Sequence, residues 1–272
     1  VSAPVTSIAP RSTGTALADQ LFAPLRKGEG VRIGLVGDSG CGKTWAARLL
    51  LAEWCRRVPN GFALVHDDTG PLQFRGQVRR FVTDIAKQPL APEPRIVIFR
   101  GDERVRSGVN PSSLAEYAWR CAYRSPPVPM LLLLDELGRA AYAGHWSHQP
   151  NCPKRKGRGP GGMSSFNERE AECTCPLPAI FSWGRRSCVS VIWTTQSPQN
   201  APREAFEQSS ALVCVHMGGR GLRYLRDLDY LDGGAEPAIA RQPGTREVAA
   251  GAVPAYVMLE RGSAWDGKEY RL

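Results

Sequence analysis

Residues 31–44 read VRIGLVGDSGCGKT, and this stretch decides the fold. The apolar run from Val31 to Val36 has the length and β-branched content of a buried strand, and the stretch Trp45 to Arg57 has helical spacing. Between them GDSGCGKT matches G-x-x-x-x-G-K-[ST] in the strand–loop–helix setting that the pattern requires. Gly37, Gly40 and Gly42 let the backbone curl until successive N–H groups point at one place, with Asp38, Ser39 and Cys41 filling the positions between. The helix N-terminus adds its positive dipole end, which suits a phosphate chain. Lys43 is expected to reach the outer phosphates of ATP, and Thr44 to place its hydroxyl on Mg²⁺, a hard cation that prefers oxygen.

A second stretch, MLLLLDE at 130–136, supplies the complementary half. Its leucines read as a strand buried on both faces, so Asp135 emerges at the carboxyl end, where α/β sheets bind ligands. Asp135 is expected to hold Mg²⁺ through water. Glu136 is expected to orient or deprotonate the water that attacks the terminal phosphate, which favours hydrolysis over transfer. A third stretch, CVSVIWTTQSPQN at 188–200, is a buried strand ending in Thr194, Thr195 and Gln196 before a turn at Pro198. A polar side chain there could sense the terminal phosphate, although a polar strand end by itself signals only a turn.

Outward from these motifs, Phe62 to His66 and Arg95 to Phe99 read as strands, Val78 to Ile85 as a helix, and Ser112 or Ser113 as the cap of a helix running through Cys121. Ala211 to His216 is a further strand, and Tyr256 to Leu259 is one arm of a C-terminal hairpin within 245–272. The alternation predicts an α/β domain over 31–272 with a mainly parallel central sheet flanked by helices. Residues 1–30 lack clear periodicity and are expected to form an N-terminal arm that lies on a neighbour. Residues 142–176 lose hydrophobic spacing and read as an insertion.

The insertion holds His145, His148, Cys152, Cys173 and Cys175, five candidates for the four places of a tetrahedral zinc site. Their spacing is not a standard finger pattern, so unliganded side chains in a loop are the competing reading. Its basic run KRKGR at 154–158 contains no aromatic residue, and so offers charge to a phosphate backbone without a stacking platform. The whole chain of 272 residues carries a formal charge of +9, which suits a polyanionic partner or simply a solvated basic surface. A hydrophobic fraction of 42% and a charged fraction of 22% are those of a globular domain, and the longest aliphatic run, Met130 to Leu134, is far too short to span a bilayer. No secretory signal pattern opens the chain, so a cytoplasmic protein with reduced thiols is expected. Cys188 and Cys214 lie in runs that look like core strands.

In order, the glycine-rich loop, the aliphatic strand ending in Asp135-Glu136, and the strand ending in Thr195-Gln196 before Pro198 resemble the FtsK/HerA superfamily of P-loop ATPases. The likeness covers about residues 31–232 and, with no membrane segment found, looks most like the genome-packaging ATPases of tailless, membrane-containing double-stranded DNA viruses. It implies a RecA-like P-loop domain in a cytoplasmic or virion-associated protein, a homo-oligomeric, hexameric ring with double-stranded DNA in its channel, and a capsid vertex or membrane-associated packaging protein as a further partner. It also implies an arginine that reaches the neighbouring subunit's ATP. In MGGRGLRYL, Arg223 matches best and Arg220 next, while a solvated helix face is the competing reading of both. Conjugative DNA-transfer ATPases and filamentous-phage assembly ATPases share the motifs, and a nucleotide switch without a nucleic-acid track is a third function that they permit.

Overall fold

The computed structural model describes residues 11–67, 77–79, 96–100, 111–122, 128–138, 176–183, 186 and 188–271. Among the described residues nine strands form one sheet: β1 (Arg32–Val36), β2 (Phe62–Asp67), β3 (Gln77–Arg79), β4 (Ile96–Arg100), β5 (Met130–Leu134), β6 (Val189–Thr195), β7 (Ala211–Cys214), β8 (Ala255–Leu259) and β9 (Glu269–Arg271). Their order across the sheet is β3-β4-β2-β5-β6-β1-β7-β8-β9. The pairings from β3 to β7 are parallel, and those of β8 with β7 and with β9 are antiparallel.

Parallel strands need covered faces, and the sequence provides them. Every residue of β1, β2, β5 and β6 is buried. In β5 the period of two sends Leu131 and Leu133 to one core and Met130, Leu132 and Leu134 to the other. Burying four leucines contributes on the order of 6–12 kcal/mol before chain ordering is subtracted, which holds the charged Asp135-Glu136 pair at the strand's end. Helix α2 (Lys43–Arg57) covers one face through Ala46, Ala47, Leu50, Leu51 and Trp54. Helices α3 (Pro111–Ala122), α4 (Pro176–Trp183) and α5 (Arg203–Glu207) pack together under the other face.

Residues 11–30, the described part of the expected arm, pack on the domain. Helix α1 (Arg11–Leu21) buries Leu17, Ala18 and Leu21, and Phe22 after it is fully enclosed. The Arg57 guanidinium pairs with Asp19 at 2.6 Å and lies 5.6 Å from the centre of the Phe22 ring, while the Tyr270 hydroxyl donates to Gln20 Oε1 at 2.7 Å. A single helical turn of apolar spacing is too short a pattern to reveal this packing from the sequence.

Three further expectations change. Val78 lies in strand β3 and not in a helix, because the alternating QVR stretch finds a parallel partner in β4. The helix through Cys121 starts at Pro111, so Ser112 and Ser113 lie inside its first turn, past the cap position, and proline supplies a preset start. Cys188 precedes β6 with a φ of 56° and is half-buried, its thiol donating to the Gly28 carbonyl at 3.0 Å. Cys41, Cys55, Cys121, Cys188 and Cys214 are free thiols, and burial pushes Cys214 far above the ordinary thiol range. The zinc candidates His145, His148, Cys152, Cys173 and Cys175, and the basic run at 154–158, lie outside the described residues. No helix among the described residues is long and apolar enough to cross a membrane.

At Gly34, in the middle of β1, an added Cβ would sit 2.5 Å from the Trp193 ring and 2.6 Å from the Leu212 side chain. Gly34→Ala is therefore expected to destabilise the protein by about 1–3 kcal/mol, seen as a lowered urea midpoint at unchanged m-value.

Candidate functional site

Parallel pairing aligns the carboxyl ends of the strands at one edge: Val36 lies beside Thr195 and Cys214, Leu134 beside Trp193 and His66. Strand β6 stands between β1 and β5. The end of β6 therefore separates the glycine-rich loop from the acidic pair, and all three motifs meet at this edge.

The loop is anchored at its entry. Gly37 N–H donates to the Thr195 carbonyl at 3.3 Å and Asp38 N–H to the His216 carbonyl at 2.8 Å, tying it to the ends of both neighbouring strands. Gly40 and Gly42 have φ of 73° and 99°, a region that costs a side-chain-bearing residue about 1–2 kcal/mol. Space is also closed there, because added Cβ atoms would meet Thr245 at 2.7 Å and Pro254 at 2.8 Å. Gly42 then opens α2, whose first-turn N–H groups have no intrahelical partner.

Lys43 is 6% exposed, and its ammonium donates to the Asp38 carbonyl at 2.7 Å, folding back over the loop. Burial lowers its pKa below the usual 10.5, opposed by the nearby Glu136, Cys41, Asp135 and Asp38. Thr44, the next residue along the helix, is half-buried.

Across the mouth, Thr194 clamps the acidic pair. Its hydroxyl accepts from the Glu136 N–H at 2.9 Å and donates to Asp135 Oδ1 at 2.8 Å. Asp135 is 1% exposed, and Glu136 is 8% exposed with a φ of 52°. A non-glycine residue held in that region marks a position over-determined by its surroundings. Glu136 Oε2 accepts from the Gln196 N–H at 3.3 Å, so the end of β6 touches both carboxylates. A buried carboxylate and a half-buried hydroxyl are oxygen donors of the hardness that Mg²⁺ takes, and Asp135 with Thr44 fit that ion while it keeps its waters. Among the described residues, no cluster of three or more His, Cys, Asp or Glu side chains forms a metal site.

Arg220 and Arg223 are not brought to this site. They lie on the exposed face of helix α6 (Gly219–Asp227), opposite the buried Leu222 and Leu225, and no ion pair holds either among the described residues. Arg226, one turn on, is paired with Glu236. Helix α6 packs against the 3-10 turn Pro198–Asn200 that follows Gln196, so the arginine helix and the site share a support.

The structure adds residues that no motif marks. Thr245 donates to the Ser39 carbonyl and lies 3.6 Å from the Cys41 sulfur, and the Tyr256 hydroxyl donates to the Gly42 carbonyl at 3.3 Å. Asp38 Oδ2 accepts from the Gly218 N–H at 3.1 Å, with His216 Nε2 at 3.8 Å. These contacts join residues some two hundred positions apart, and no local spacing announces them.

No protein-family model matches the chain, and neither does any curated protein. Among solved structures it is similar to the genome packaging NTPase B204 from Sulfolobus turreted icosahedral virus 2. In complex with AMPPCP, that protein matches with a TM-score of 0.55 and 11% identity over 89% of this chain and 96% of the other. In complex with ATP-gammaS the TM-score is 0.54 and the identity 10%, over the same shares. B204, the DNA-packaging ATPase from Sulfolobus Turreted Icosahedral Virus, matches with a TM-score of 0.53 and 10% identity, again over 89% and 96%. The likeness establishes that the fold is that of a P-loop NTPase.

Two outcomes are expected from this geometry. Thr194→Val keeps the shape but strips partners from a buried N–H and a buried carboxylate, and should cost about 1–3 kcal/mol in chemical denaturation. For Lys43, the unfolded chain binds more protons than the folded one between the lowered pKa and 10.5, so the buried ammonium costs stability below that window and the cost vanishes above it. Lys43→Met should stabilise the ligand-free protein at neutral pH, with an advantage that shrinks as urea melts are repeated at rising alkaline pH.

Proposed function

We propose that the protein is an ATPase of the FtsK/HerA type that moves double-stranded DNA, its ring packaging a viral genome. The observation that carries the hydrolytic part is the Thr194 clamp. It fixes Glu136 beside Gln196 at the mouth of the loop, where a carboxylate can take a proton from an attacking water.

In this reading the loop from Gly37 to Thr44 holds the triphosphate through its backbone N–H groups, and the Lys43 ammonium leaves the Asp38 carbonyl for the outer phosphate oxygens. Asp135 and Thr44 hold Mg²⁺, which when bound neutralises charge on those oxygens. Glu136 orients the attacking water and accepts its proton. Gln196 N–H already contacts that carboxylate, so the state of the terminal phosphate passes to the turn at Pro198 and on to α6.

The DNA-moving part is supported by the motif order, by the fold shared with a viral genome packaging NTPase, and by the formal charge of +9. It is also supported by Arg220 and Arg223, exposed cations with no ion pair among the described residues, which suit a charge offered to a neighbouring subunit's nucleotide. A ring built this way has no complete site in a lone subunit.

Steady-state ATP hydrolysis across a protein concentration series, with and without long double-stranded DNA, tests the proposal against a Lys43→Ala blank. Turnover should rise cooperatively with concentration and be stimulated by DNA. Glu136→Gln should lower kcat by roughly 10²–10⁴ while nucleotide still binds, and Arg223→Ala should cost about 10³ or more at saturating protein. Hydrolysis that ignored both DNA and concentration would leave a nucleotide switch or a filament-assembly ATPase in place of a DNA motor.

A further inference from the structure

The large hydrophobic side chains left exposed among the described residues are Trp45 at 41%, Leu49 at 37% and Val253 at 59%. Two of the three flank Gly42. Trp45 lies in the first turn of α2, three residues on from that glycine, and Val253 adjoins Pro254, whose ring closes on it. Helical side chains lean toward the N-terminus of their own helix, which directs the Trp45 indole back over the phosphate loop.

The flanks of the loop are chemically unequal. One carries Asp135, Glu136 and Gln196 from β5 and β6. On the other, Val215 and His216 meet Gly37, Thr245 meets Gly40 and Pro254 meets Gly42. A triphosphate whose reacting end lies toward the acidic pair runs its chain along the first turn of α2, so its sugar and base leave on the second flank. Pro254 and Val253 stand half-exposed and exposed on that flank, and Trp45 is exposed in the first turn of the helix along which the phosphate chain runs.

We propose that Trp45, with Val253 and Pro254, forms the platform on which the nucleobase of the bound nucleotide lies, so that Trp45 decides the preference for a nucleoside triphosphate over a bare polyphosphate. The assignment rests on the nucleotide reading given above. A planar, π-rich and weakly polar base matches an exposed indole, and stacking of a base on an aromatic side chain is worth a tenfold or greater change in affinity, on the order of ten- to a hundredfold. The same exposed patch would also suit a second copy of the chain, and the test separates that occupant.

Calorimetric titration of the 272-residue protein with ATP-gammaS and with inorganic tripolyphosphate, both with Mg²⁺, reads the platform directly. Trp45→Ala is expected to bind ATP-gammaS about ten- to a hundredfold more weakly and tripolyphosphate as the wild type does, with Trp45→Phe recovering most of the loss. As an exposed residue, Trp45 can be replaced without loss of core packing, and a denaturation midpoint checks this. Equal losses for the two ligands would make Trp45 a support of the loop and overturn the proposal. Unchanged ATP-gammaS affinity with weakened self-association would assign the patch to a contact between copies, and would overturn it as well. A wild-type protein that bound neither ligand would overturn the nucleotide reading itself, and the platform with it.

Discussion

Strand β1 carries no side chain at Gly34, and there the Trp193 ring and Leu212 close in from the strands on its two sides. This close approach seats β1 between β6 and β7, and the site depends on that seat. The loop leaves β1 with its entry residues hydrogen-bonded to the Thr195 carbonyl at the end of β6 and the His216 carbonyl just past β7, so its position is inherited from the sheet and not from its own flexible backbone. With β6 next to β1 and β5 next to β6, the polar end of β6 becomes the bridge between phosphate loop and carboxylates.

The same arrangement explains why so many polar groups tolerate burial here. Asp135, Glu136, Thr194, Thr195 and Lys43 are all under 9% exposed, in a place where an unpaired charge would be costly. Thr194 satisfies two of them with one hydroxyl, and Lys43 is held by a backbone carbonyl. The Lys43 ammonium is desolvated, weakly satisfied and within the field of two carboxylates. A desolvated cation of this kind is suited to receiving the oxyanions of a phosphate chain.

The C-terminal segment does more than finish the sheet. Antiparallel β8 and β9 return the chain beside β7, and this brings Thr245, Pro254 and Tyr256 against the outer side of the loop. At the far end of α2, Arg57 receives α1 through Asp19, and β9 receives it through Tyr270 and Gln20. One end of the chain thus braces the phosphate loop while the other seals the helix that the loop opens.

Sequence alone determined the parts whose signal is local. The spacing of glycines before Lys43-Thr44, the leucines before Asp135-Glu136, and the apolar run into Gln196 each fit within about fifteen residues, and each lies at the sheet edge where its chemistry requires it. The tertiary structure decided what depends on contacts between distant residues. Among these are the choice of β4 as partner for QVR at 77–79, the burial of α1, the clamp by Thr194, and the backing of the loop by Thr245 and Pro254. The reason is physical: periodicity records which face of an element is buried, whereas the element that covers that face is selected by packing across the whole chain.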